Sequence, residues 1–255
     1  MSSRVRILAS VLGAAMLLAV PVVARAEEQV KIVKAGFKPD VFGKPTNAFG
    51  EAIISSTIGE VPSPITHVNV FGPAGITLDL KGTVTCPKQA IEEKGAPGCP
   101  AQSRAGFGGG QGIYELGGEI VEEKYTVDLF LSDNRPGHVA LWVYLSGSSP
   151  VIVEKIFPAV VVKGKPPYGL GFSLDVPLIK VLPEASNASA KSAFITLGAS
   201  NVAYFKKVDG KRKLFHVKGI ILPHRCPPGG WPIVSEFSFE DGDNVAAKSS
   251  IHCPK

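Results

Sequence analysis

The chain has 255 residues, with 27 Lys and Arg against 22 Asp and Glu, 28 glycines, 21 prolines and four cysteines. Much of its positive balance sits at the N-terminus. Removing Arg4, Arg6 and Arg25 from the 27 basic residues leaves 24 against 22 acidic ones, which argues against a nucleic-acid partner and for a nearly balanced domain.

Those three arginines belong to a predicted signal peptide over 1–26. Arg4 and Arg6 form a positive start, an apolar run extends from Ile7 to Val23, and Ala24-Arg25-Ala26 offers small residues to a signal peptidase. Pro21 interrupts the run, which is short for a membrane span of about 20 residues. The sequence therefore predicts a chain secreted or held outside the cytoplasm, in a periplasm or cell envelope. No integral membrane segment is expected after cleavage.

The remainder, 27–255, is predicted as one all-β domain. The expected architecture is a two-sheet antiparallel β-sandwich or jelly-roll-like fold of about a dozen strands. Gly36, Pro39, Gly43, Pro45 and Gly50 punctuate the stretch 27–50, which reads as an irregular N-terminal segment. Beyond it the hydrophobic period is two: Ile65–Val70 and Ile76–Leu80 alternate about Pro73 and Gly75.

Cys86, Cys99, Cys226 and Cys253 are each followed by proline, which cannot donate to a β-ladder and so marks a strand end. Of three possible pairings, Cys86–Cys99 and Cys226–Cys253 close the shortest loops and are expected in an oxidising compartment. His224, Cys226, His252 and Cys253 hold the ligand types of a zinc site, but at no familiar zinc spacing, so no metal is assigned.

A short helix is predicted near 88–94. The glycines from Gly106 to Gly112 give no phosphate-loop register and no following helix, and read as strand or bulge glycines. Tyr125, Val127, Leu129 and Leu131 form one face of a strand. The turn Asp133–Gly137 leads into Val139, Leu141, Val143 and Leu145, with Trp142 and Tyr144 opposite. Further strands are predicted over 151–162, 169–176, 193–197, 202–205, 214–221, 233–239 and 244–251.

The Cys-Pro steps at 86–87 and 99–100, Ser103, Gly106 and Gly108, then Cys226-Pro227, Gly229-Gly230-Trp231, Phe237, Phe239, Asp241-Gly242 and Cys253 form a spaced pattern. In it the chain resembles uncharacterised exported bacterial all-β proteins with paired Cys-Pro motifs. The resemblance implies an exported, disulfide-bonded β fold and carries no activity.

No catalytic constellation is evident. Gly171-Phe172-Ser173 and Gly198-Ala199-Ser200 both lack the closing glycine of a nucleophile elbow. Glu115, Glu119, Glu122 and Asp128 could serve a glycan hydrolase only if two of them shared a groove. Glu123 and Lys124 complete the charged run and read as part of a solvated hairpin. Asp241, Asp243 and Asn244 depart from the calcium-loop pattern and read as a polar turn.

The most distinctive local feature is basic. Lys206, Lys207, Lys211, Arg212 and Lys213 flank Asp209-Gly210, beside Tyr204, Phe205 and Phe215. Such a tip suits an anionic cell-surface polymer or glycan, or lipid headgroups, although tip lysines also block edge pairing. Trp231 is a second candidate contact for a glycan, the other reading being a cap on the Cys226 disulfide. The expectation is thus a non-enzymatic extracytoplasmic binding protein without cofactor. An extracellular glycan hydrolase and a purely structural envelope component are the alternatives.

Overall fold

The computed structural model describes residues 28–198 and 202–254. The predicted signal peptide lies outside the described residues. From the N-terminus come β1 (Glu28–Lys38), β2 (Pro45–Ser56), β3 (Ile65–Pro73) and β4 (Thr77–Asp79). After a helix, α1 (Lys88–Lys94), follow β5 (Arg104–Leu116), β6 (Glu119–Arg135), β7 (His138–Gly147), β8 (Val153–Lys163) and β9 (Tyr168–Asp175). The chain ends with β10 (Ser189–Leu197), β11 (Ala203–Val208), β12 (Lys211–His216), β13 (Gly219–Ile221), β14 (Trp231–Phe239) and β15 (Asn244–Ile251).

The all-β antiparallel expectation holds, and the facing layers belong to one continuous sheet. Its thirteen strands run β15-β14-β3-β9-β8-β7-β6-β5-β10-β2-β13-β4, with β1 paired to β2. The sheet curls until β1 packs beside β15. Phe37 of β1 meets Trp231 of β14 at one end of this seam. At the other end the Glu28 main-chain N–H donates to Asp243 Oδ2 at 3.0 Å. β1 and β15 thus meet along a packed seam, without ladder pairing, and the sheet wraps around a hollow interior.

One expectation is corrected. Residues 28–56, read as irregular up to about 50, form the long pair β1–β2, with a bulge between Ile32 and Lys34. The glycines and prolines there do two different jobs. Pro39 and Gly43 lie in the turn, and Gly43 takes a φ of 63°, whereas Gly36 lies inside β1, where a Cβ would lie 2.6 Å from the Phe49 ring.

The helix fits its predicted span because Pro87 precedes it and Gly95, at φ 61°, ends it. It buries Ile91 with Cys86, Phe130 and Tyr144 on the outer face of β6 and β7. The Cys86–Cys99 bond staples this cover to itself, and the Cys86 N–H donates to the Leu131 carbonyl at 2.7 Å. Alternate residues of the same strands, Leu129, Leu131, Leu141 and Val143, face inward with Phe157 and Ala159 of β8. The second disulfide, Cys226–Cys253, ties the approach to β14 to the end of β15.

The two sides of the interior are unlike. The wall from β6 to β9 carries branched and aromatic side chains. The wall from β5 through β10 and β2 to β1 is built from small ones: Gly110, Ala193 and Ala52 lie in one cross-strand row, and Gly108, Ile195, Gly50 and Ala35 in the next. Close strand approach enforces some of these. A Cβ on Gly110 would lie 1.9 Å from the Ser192 carbonyl oxygen and 2.7 Å from the Tyr125 hydroxyl. Tyr125 needs that space, because its hydroxyl crosses β5 to donate to the same Ser192 oxygen at 2.9 Å. Gly110→Ala is therefore expected to destabilise the protein by about 3 kcal/mol, read as a lowered denaturant midpoint. An unchanged midpoint would contradict this packing account.

Candidate functional site

Large side chains on one wall and small ones on the other leave a lumen of about 450 Å³, within the range of small-molecule sites, roughly 300–1,000 Å³. Its lining is predominantly apolar and includes Ile32, Ala52, Val127, Leu145, Phe157 and Ala193. Sheets closed with more than about eight strands enclose more space than their own side chains fill.

Polar groups enter this lumen mainly near one end, where β5, β6 and β10 meet. Tyr114 is 1 % exposed, Ser189 3 % and Glu123 7 %. All three line the lumen. Tyr114 Oη, Ser189 Oγ and Glu123 Oε1 meet no hydrogen-bond partner among the described residues. A buried polar group without a partner costs about 1–3 kcal/mol, so three in one place require an explanation.

Strand alternation places Glu123 and Tyr114. Glu123 continues the inward row of Tyr125, Val127 and Leu129, opposite Gly112 of β5. Tyr114 lies two residues beyond Gly112 on the same face, whereas Ser189, the first residue of β10, pairs with Ile113 and reaches the lumen at the strand's start. The Glu123 carboxyl rests over Gly147, where a Cβ would lie 2.4 Å from Oε1. Burial raises the Glu123 pKa above its ordinary value, opposed by a main-chain N–H from Ser149. Burial also raises that of Tyr114, and the neighbouring Glu123 charge adds to it. The end of the lumen thus offers a carboxyl held toward its neutral form, a phenol O–H and an aliphatic hydroxyl.

The residues singled out by sequence fall elsewhere. Lys206, Lys207, Lys211, Arg212 and Lys213 lie on β11–β12, a two-stranded sheet of its own. Trp231 is corrected as a contact residue. It is 0 % exposed, its indole N–H donates to the Arg225 carbonyl, and its ring meets Phe37 and Phe42 edge-on at 5.5 and 5.7 Å. The alternative reading, a cap beside Cys226, describes its position.

Glu115 and Glu119 are exposed, Glu122 pairs with Lys191, and Asp128 pairs with Arg104. None of these four lines the lumen. The two sulfurs of the zinc alternative are bonded to each other. In the 241–244 turn, Asp241 Oδ1 accepts the Asp243 N–H at 2.9 Å and Asn244 Oδ1 accepts the Ser238 hydroxyl at 2.6 Å.

One constellation resembles a hydrolytic relay. His67 Nδ1 lies 2.6 Å from Asp175 Oδ1, and Ser173 Oγ lies 3.4 Å from His67 Nε2. Its surroundings do not support that role. Asn69 Oδ1 stands 3.1 Å from Nε2, closer than the serine, so the serine hydroxyl is not that nitrogen's nearest partner. Asp175 is largely exposed, and Ser173 lies within strand β9 rather than on a turn that presents a nucleophile.

The comparisons with known proteins add no identity: no family model, no curated protein and no solved structure matches this chain.

Proposed function

We infer that this is an exported, non-enzymatic binding protein that carries an apolar small molecule with a neutral polar head in its lumen. The observation that carries the reading is the coincidence of an apolar cavity with buried, unpartnered Glu123, Tyr114 and Ser189 near one end. An apolar chain would occupy the space left by Gly50, Ala52 and Ala193. A hydroxyl head would accept from Tyr114 or Ser189 and donate to Glu123. A fatty carboxylate is disfavoured there, since like charges near Glu123 raise the cost of both.

Export is supported by the signal-like N-terminus and by two disulfides, which persist in oxidising compartments. No helix among the described residues is long and apolar enough to cross a membrane.

Titration of a fluorescent long-chain alcohol, with the fatty acid of equal length as comparison, tests the reading. The expected result is saturable one-to-one binding of the alcohol, about tenfold tighter than the acid at neutral pH. Absence of saturable binding by either compound would refute it.

A further inference from the structure

The β11–β12 hairpin stands apart from the large sheet, and its two faces differ. On one, Tyr204 and Phe215 stack at 5.8 Å, and Tyr204 covers Gly82, fixing the hairpin root to the body. On the other, the cross-strand partners Phe205 and Leu214 are 56 % and 53 % exposed. Next to this apolar pair, on the same face, Lys207 lies directly opposite Arg212, whose guanidinium sits 4.1 Å from the Phe205 ring centre. Lys206 and Lys213 form a second directly opposed pair of like charges.

Like charges placed opposite each other destabilise a two-stranded sheet, as does a large apolar pair left in water. None of the ion pairs among the described residues involves a hairpin cation. Both penalties are relieved together by a surface that supplies anions above an apolar layer. A soluble anionic polymer would relieve only the first. We propose that the β11–β12 hairpin docks the protein on an anionic lipid bilayer, with Phe205 and Leu214 entering the interface and the flanking cations meeting lipid phosphates. The hairpin continues through Val217 into β13, whose Ile220 lines the lumen. This proposal rests on the hairpin alone and stands whether or not the lumen carries a ligand.

Vesicle flotation tests it, using phosphatidylglycerol–phosphatidylcholine vesicles against phosphatidylcholine alone. The mature wild-type protein is expected to float with the anionic vesicles only, and less at high salt. Lys207→Glu with Arg212→Glu should weaken binding about a hundredfold. Phe205→Ser with Leu214→Ser, which leaves every charge in place, should weaken it about tenfold. Near-UV circular dichroism of both variants checks that the body, with buried Trp231, is folded. Failure of folded wild-type protein to bind anionic vesicles would overturn the proposal. It would also be overturned if the Phe205 and Leu214 variant bound as wild type while soluble dextran sulfate displaced the protein fully, which would mark a polymer site.

Discussion

Gly50→Leu is expected to weaken uptake of an apolar ligand while leaving the protein folded. Gly50 lies on the inward face of β2, between Ala35 of β1 and Ile195 of β10. A Cβ built there meets nothing within 4 Å, and the position lines the lumen. A leucine side chain therefore extends into the space assigned to ligand without displacing backbone. Overfilling a site costs about 1–3 kcal/mol, so affinity should fall roughly tenfold to a hundredfold. Replacing a strand glycine also reduces the freedom of the unfolded chain, worth about 0.4–1 kcal/mol, so the denaturant midpoint should stay level or rise. Ile53→Ser, on the outward face of the same strand, should leave binding unchanged. Equal binding by wild type and Gly50→Leu would place the ligand elsewhere.

Glu123→Met is expected to exchange function for stability. The raised pKa of Glu123 means that the folded protein holds this proton more tightly than the unfolded chain. Its favourable contribution is fully present below the ordinary value of 4.5 and is lost as pH rises through the higher folded value. Burying the half-partnered carboxyl thus costs stability once the unfolded chain ionises. A methionine of similar length removes that burden, so the variant should gain about 1–3 kcal/mol at neutral pH, with the gain shrinking below pH 4.5. Thermal unfolding at the two pH values measures it, at roughly 2–4 °C per kcal/mol for a chain of this size. Binding of the long-chain alcohol should weaken by about tenfold. A variant less stable at both pH values would make Glu123 a structural residue instead.

These two expectations concern residues whose roles were unequally legible in the sequence. The strand pattern was readable wherever alternation was strong, as in Tyr125 to Leu131 and in Val139 to Leu145, and so were the short helix and the two disulfides. Glu123 was readable in principle. It continues the inward row two residues before Tyr125, but the surrounding Glu119, Glu122 and Lys124 give the stretch the composition of a solvated turn. Composition averages over both faces of a strand, whereas burial is decided face by face.

The lumen was hidden for a different reason. Glycine and alanine in β1, β2, β5 and β10 read locally as weak strand formers or loop residues. Their effect appears only when four strands distant in sequence are placed side by side, in the rows that join Gly110 to Ala193 and Ala52. The closure of β1 against β15 is likewise a property of both chain ends together. Trp231 shows the converse. Its setting between Pro228-Gly229-Gly230 and Pro232 allowed both a glycan contact and a cap on the Cys226 disulfide, and the indole is buried with Phe37, Leu222 and Cys226.

The most direct test of a ligand-carrying lumen is to locate the ligand. A long-chain alcohol bearing a photoreactive diazirine along its chain would be bound to the mature protein, irradiated, and the adducts mapped by peptide mass spectrometry. Adducts on lumen positions such as Ala52, Val127 or Ala193, lost in Gly50→Leu, are the result this account requires. Adducts confined to outward positions such as Ile53 or to the exposed Phe205, unchanged in Gly50→Leu, would contradict it.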